Sequence, residues 1–185
     1  MHTLQTPRLL LTMLDASHAE AVAAYFKQNR EHARRWNPAS NGEFFTAAFQ
    51  AERLTSDQVE QQAGRAARFW MVEAGDDARQ RVIGHIALSN IVRGALQGCH
   101  LGYMIDAQFQ GSGLTTEGCR AVINYSFTTL ELHRIEANIM PHNAASIRVI
   151  EKLGFEREGL SRQYLRINGV WEDHYRYGLL NSTAS

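Results

Sequence analysis

Two glycines, Gly111 and Gly113, stand two apart in the stretch QFQGSGLTTEG (residues 108–118), with Ser112 between them and a helix-friendly run beyond. A glycine-rich turn entering a helix offers backbone N–H groups and the positive end of the helix dipole to a phosphate. Two common phosphate loops do not fit. A nucleotide P-loop requires GxxxxGK followed by Ser or Thr, and Gly113 is followed by Leu114 and Thr115 with no lysine. A dinucleotide fingerprint requires GxGxxG, and Thr116 occupies the third glycine position. What remains is a phosphate cradle of another type, or a turn in which glycines supply positive φ and Ser112 caps a helix.

A second pair able to do chemistry is Asn143 and Ser146, three residues apart where an apolar-periodic segment opens. That spacing makes Asn143 an N-cap and puts Ser146 in the first helical turn. The eight histidines show no metal-ligand spacing, and His133, His142 and His174 read as polar surface or cleft residues. Cys99 and Cys119 form no CxxC pair and read as reduced, partly buried thiols. Trp36, Phe44, Phe45 and Trp171 are core aromatics or walls of a pocket. Arg148 and Lys152 are a solvated helix face or contacts to phosphate.

These residues need elements to position them. RLLLTML (8–14) has the character of a strand, and AEAVAAYF follows at helical period, with Ser17 and Glu20 at capping-box spacing. NREHARRWNPASNG (29–42) is polar and turn-rich, and a long helix is expected over 43–62. RFWMVEA (68–74), RVIGHIALSNIV (81–92) and CHLGYMID (99–106) read as strands. A helix to about Leu130, a strand RIEANIM (134–140) and a helix NAASIRVIEKL (143–153) follow. Asn168-Gly169 between two apolar-rich runs predicts a closing hairpin. The order gives one α/β (α+β) domain over 1–185, with a mostly antiparallel sheet of about seven strands and one βαβ unit.

The chain has 185 residues, enough for one domain with a real core. Lys+Arg and Asp+Glu both total 19, and that balance argues against non-specific nucleic-acid binding. The start reads as a strand and not as a signal peptide, and no apolar run approaches the ~18 residues of a membrane span. The expected setting is the cytoplasm, without membrane or direct nucleic-acid contact, as a monomer or homodimer.

The sequence around the glycine loop resembles the GCN5-related N-acetyltransferase superfamily: strand, Gln110-Gly111-Ser112-Gly113-Leu114-Thr115, helix, strand, then an NxxS helix ending in EKLGF. Thr115 departs from the Gly or Ala of the family's loop, but it is small and adds a hydroxyl. SNIVRG, LGYMID, QGSGLTTE, HRIEANIMPHN and EKLGFEREG…YLRINGVWEDH, with TPRLLL and NREHARRWNP upstream, are similar to the ribosomal-protein-alanine N-terminal acetyltransferases.

The resemblance implies a splayed strand pair that binds coenzyme A and an activity that moves acetyl from acetyl-CoA to an amine. It implies that N–H groups around Gln110, Gly111, Ser112, Gly113, Leu114 and Thr115 hold the pyrophosphate. It implies that Tyr103, Met104 and Ile105 pair with pantetheine and the thioester oxygen, and that Asn143 and Ser146 meet pantetheine and the sulfur. The family's tyrosine acid position is Ile150 here, which leaves Ser146 as the candidate acid. A glutamate that some relatives carry before the final turn is Leu165 here, so Asp173 and Glu136 stand as candidate bases. The implied acceptor is a protein N-terminus, Ala or Ser of a ribosomal protein. A small amine (an antibiotic or a polyamine), or a non-catalytic acyl-CoA-binding role, is the alternative.

Overall fold

The computed structural model describes residues 3–76 and 78–182. The elements run β1 (Thr3–Gln5), β2 (Leu9–Thr12), α1 (Ala19–Gln28), α2 (Arg30–Arg34), α3 (Ala47–Gln62), β3 (Ala67–Glu73), β4 (Gly84–Val92), β5 (Gly98–Ile105), α4 (Leu114–Thr128), β6 (Arg134–Ile139), α5 (Ala144–Lys152), β7 (Glu156–Ile167) and β8 (Val170–Leu180). They form one sheet of eight strands in the order β1-β2-β3-β4-β5-β6-β8-β7, one strand more than expected because Thr3–Gln5 pairs at the edge. Every pair is antiparallel except β5–β6, the single βαβ unit.

The sheet is covered on both faces, and β3 records this in its alternation. Phe69 and Met71 point into a core under α4 with Leu9, Leu11, Ile86 and Val122. Trp70 and Val72 point the other way, into a core with Val22, Tyr25, Phe26 and Leu54 of α1 and α3. A strand buried on both faces must be apolar at nearly every position, as RFWMV is. On α1, Val22, Tyr25 and Phe26 lie three and four apart and make its buried stripe. α4 lies close on the sheet at Gly118, where a Cβ would come within 2.8 Å of Ile86 Cδ1.

Local signals set most boundaries. Thr46 caps α3 by accepting the Phe49 N–H, and Asn143 caps α5 by accepting the Ser146 N–H at 3.2 Å. In the hairpin turn, Asn168 (φ 49°) and Gly169 (φ 88°) both take positive φ, the requirement of a two-residue turn that matches strand twist. Two expectations are corrected. The Ser17–Glu20 capping box does not form, because Asp15 takes both the N–H and the hydroxyl of Ser17 and starts a short 3-10 turn ahead of α1. The polar run after α1 holds a short helix, α2, although it has no apolar period to announce it.

Candidate functional site

The sheet opens between β5 and β6. These strands pair only at Gly98–Arg134, Cys99–Ile135 and His100–Glu136, whereas β5 stays paired with β4 as far as Ile105 and β6 with β8 as far as Ile139. From Leu101 onward the β6-facing edge of β5 has no ladder. The Asp106 N–H bonds Ile83 O at 2.8 Å, on the β4 side. By strand alternation, the main-chain groups of Tyr103 and Ile105 then turn to the open edge, and those of Met104 turn to β4. This refines the expectation for Met104, whose carbonyl also accepts from Tyr25 Oη at 3.2 Å. Its side chain, by contrast, lines a cavity described below.

α5 closes one side of this opening. Tyr103 Oη donates to Ser146 O at 3.2 Å, so the strand that supplies the free edge also fixes the first turn of α5. Burial pushes the Tyr103 phenol well above its ordinary range, which keeps it a neutral donor. Asn143 and Ser146 are therefore brought to the mouth of the splay.

The glycine loop lies beyond the end of β5. Gly111 and Gly113 have φ of 75° and 83°, the left-handed region that favours glycine. The first helical bond of α4 runs from Glu117 N–H to Gly113 O, so helix geometry leaves the N–H groups of Leu114, Thr115 and Thr116 without intrahelical acceptors, and that of Leu114 reaches only Ser112 Oγ at 3.5 Å. Ser112 Oγ donates to Phe109 O at 2.6 Å, and Gln110 Nε2 lies 3.0 Å from His32 Nε2 on α2. Arg8 clamps the loop from below: its Nη1 donates to Ser112 O at 3.0 Å, and its Nη2 lies 2.7 Å from Glu117 Oε2. Burial would raise the Glu117 carboxyl, but Thr6 and Arg8 more than offset it and hold it below the ordinary value. An open cavity of about 740 Å³ adjoins the loop, lined by Gly113, Thr116, Arg120 and Lys152 among others. Phosphate-bearing ligands fit this cradle of N–H groups with cations beside it.

A second cavity, about 470 Å³, lies on the α1/α3 face of β4 and β5. Phe26, Phe44 and Phe45 form apolar walls, and Met104 and His85, paired across β4–β5, form part of its floor. Arg30, Arg34 and Arg53 line it, and no carboxylate is among its described lining residues. Burial, then Arg68 and Arg53, hold His85 well below its ordinary range, so it is neutral. Burial, then Arg68, pull the Arg53 guanidinium down to about 10 while Asp57 opposes. Neither Arg53 nor His85 is flagged by spacing in the sequence, since they come from α3 and β4 and meet only through the fold.

Of the expected aromatics, Phe44 and Phe45 line this cavity, whereas Trp36 stacks on His142 at 5.5 Å and Trp171 is exposed on the hairpin. Asp173 and Glu136 are not among its lining residues. Asp173 Oδ1 accepts the Gln163 N–H at 2.8 Å, where β7 shifts register against β8. Glu136 Oε1 accepts from Arg134 Nε at 2.8 Å, and its Oε2 lies 3.3 Å from Arg176 Nη2. Cys99 and Cys119 are buried free thiols; burial pushes Cys99 up to about 12 and Cys119 higher still. No described helix is long and apolar enough to cross a membrane.

Residues 8–156 match the family model described as the acetyltransferase (GNAT) domain. The chain is 36% identical over 92% of its length to the [ribosomal protein uS5]-alanine N-acetyltransferase of Escherichia coli, covering 87% of that protein. Its structure superposes on that of the ribosomal-protein-S5-alanine acetyltransferase from Vibrio fischeri with a TM-score of 0.93, at 31% identity and over all of both chains. The RimJ of Mycobacterium smegmatis, solved in complex with CoA-disulfide, follows at a TM-score of 0.88 and 25% identity, over 97% of this chain and 86% of that one. With a splayed strand pair, a left-handed glycine loop and a family match over most of its length, the chain is a member of the GNAT family, an N-acetyltransferase whose acetyl donor is acetyl-CoA.

Proposed function

We propose that this enzyme acetylates a protein N-terminal α-amine, Ala or Ser of a ribosomal protein. The observation that carries this reading is the cavity beside Met104. It opens on the side of β5 away from α4 and α5, it is large enough for several atoms of an acceptor beyond the amine, and it carries guanidinium groups but no described carboxylate. A polyamine would bring more positive charge to arginines with nothing to receive it. The names of the ribosomal-protein acetyltransferases it resembles support the same acceptor class.

In this scheme the N–H groups of Leu114 and Thr115, with Gln110, Gly111, Ser112 and Gly113 shaping the loop, hold the donor's pyrophosphate. Lys152 and Arg120 meet its outer phosphate. The open-edge groups of Tyr103 and Ile105 pair with pantetheine and with the thioester oxygen, where negative charge develops as the amine attacks. The amine nitrogen bonds the carbonyl carbon, the carbon–sulfur bond breaks, and Ser146 Oγ donates a hydrogen bond to the departing thiolate. Asn143 orients Ser146 by capping α5.

A strong base is not required. A free α-amine has a pKa of ~7.7–8, and guanidinium groups around it lower that value by opposing its charge. Its proton then leaves to solvent. Glu136 and Asp173, both already engaged in ionic or main-chain bonds, have no part in this transfer.

The test is mass spectrometry of peptides and small amines incubated with enzyme and acetyl-CoA. The panel holds ribosomal N-termini beginning with Ala, Ser or Met, internal-lysine controls and polyamines. A mass gain confined to the α-amine supports the proposal. Transfer confined to polyamines or to lysine overturns it.

A further inference from the structure

One group in the acceptor cavity is in an unfavourable setting as it stands. Arg53 packs against Phe26 and Phe44, its guanidinium carbon 5.2 Å from each ring centroid, and its Nη1 is buried without a hydrogen-bond partner. It belongs to no described ion pair. Asp57, four residues on along α3, is taken by Arg68 Nε at 2.8 Å. Beside it, His85 Nδ1 is also buried without a partner. Gln50, one turn earlier, leaves Oε1 unmatched, but a single neutral acceptor does not compensate a desolvated cation. The two rings, in edge-to-face contact with each other at 4.8 Å, lie on one side of the guanidinium and keep water from it there, which strengthens its attraction for an anion that reaches it.

The donor side does not need this cation, since its phosphate cradle is at the glycine loop with Arg120 and Lys152. Arg53 faces the acceptor. Arg30 and Arg34 line the same cavity, so the field throughout is positive.

We infer that this cavity reads a carboxylate carried by the acceptor: the preferred substrates are N-termini with Asp or Glu within their first three residues, held by Arg53 with His85 Nδ1–H as a second donor. The inference rests on the α-amine proposal and narrows it to acidic N-termini. A carboxylate meets Arg53 in the paired geometry that guanidinium favours. Its arrival also satisfies both orphaned nitrogens and removes the cost of the unpaired charge. An amide of the same shape offers one acceptor and no charge, and a lysine adds repulsion.

The experiment compares kcat/KM for peptides with a free N-terminal Ala and an amidated C-terminus, differing only at position two or three: Glu, Gln or Lys. The wild-type enzyme should favour Glu over Gln by roughly tenfold to a hundredfold, as expected for a charge-assisted bond, with Lys poorest. In Arg53→Met, checked for folding by thermal melting, the Glu/Gln ratio should collapse toward one. Arg53→Lys, which keeps the charge but not the paired geometry, should retain part of it. Equal rates for Glu and Gln in the wild type overturn the inference without any variant, as does a ratio that survives in Arg53→Met. If no peptide is acetylated, the α-amine proposal fails. Calorimetric titration of the same peptides into the enzyme with coenzyme A then decides the cavity separately. Preferential binding of the Glu peptide upholds it, and equal or absent binding overturns it. Preference confined to small amino acids with a free carboxylate, peptides being ignored, also overturns it.

Discussion

Replacing Glu136 by Gln separates two roles open to a carboxylate on β6. In the structure Glu136 is a structural acceptor: Arg134 at 2.8 Å, Arg176 at 3.3 Å and His100 at 3.5 Å surround it. Its side chain is 19% exposed and that of Arg134 18%, against 48% for Arg176. The Arg134 bond therefore dominates. A hydrogen bond to a charged group contributes about 1.5–3 kcal/mol and an exposed ion pair nearer 0–1 kcal/mol. Gln keeps an oxygen acceptor and Arg134 keeps Glu158, so the expected loss is about 1–2 kcal/mol, which lowers Tm by about 2–8 °C in a chain of this size.

The loss should depend on pH. Burial raises the Glu136 pKa, but Arg134, Arg176 and His100 outweigh it, and the folded value lies below the ordinary one. A group with a depressed folded pKa stabilises above its unfolded pKa, near 4.3 for glutamate, and that contribution is lost as pH falls through the folded pKa. The gap in Tm between wild type and Glu136→Gln should be full at pH 7 and should narrow below about pH 4. Thermal melting across that range, with kcat measured between pH 6 and 9, is the assay. We expect kcat within about threefold of wild type, because in the proposed reaction no proton passes through Glu136. A fall of a hundredfold or more, the usual loss for a general base, with Tm unchanged would make Glu136 the base and refute this account.

Tyr103→Phe removes the bond from β5 to Ser146 O; a stability loss of about 1 kcal/mol by chemical denaturation, with a several-fold rise in KM for acetyl-CoA, is expected. Asn143→Ala removes the cap of α5 and should cost about 0.5–2 kcal/mol, while Asn143→Asp, which still caps, should recover most of it. Lys152→Met should raise KM for acetyl-CoA with kcat little changed, and the difference from wild type should shrink as salt rises, because an exposed charge is screened.

What was legible in the sequence was local. Asn168-Gly169 dictates its turn through two positive φ angles, Asn143 announces its helix through one side-chain bond, and Gly111 and Gly113 mark a left-handed loop whatever surrounds it. A short, nearly continuous apolar run made β3 recognisable, because both its faces are buried. The capping box at Ser17 failed because a nearer carboxylate, Asp15, takes the Ser17 N–H that Glu20 would accept, and spacing carries no information about which acceptor wins. α2 is short and polar, and its side-chain bonds come from distant segments, from Asn168 Nδ2 of the hairpin to Arg34 O and from Gln110 of the glycine loop to His32. The cavity beside Met104 was the least legible part. Arg53 and His85 stand 32 positions apart on different kinds of element, and each alone is an ordinary polar residue. Only the packing of α3 beside α1 on the sheet brings them to one cavity and denies them partners.

The break between β5 and β6 also bears on how the molecule holds together. The sheet is two smaller sheets, β1–β5 and β6–β8, seamed by three residue pairs. In the proposed binding mode the donor fills this gap as the strand that is missing there, so saturating acetyl-CoA should stabilise the fold as any ligand specific to the native state does, by RT ln(1 + [L]/Kd). The slowest amides to exchange should then change with occupancy. Without donor, the two halves should part first at the seam; with it, they should open as one unit.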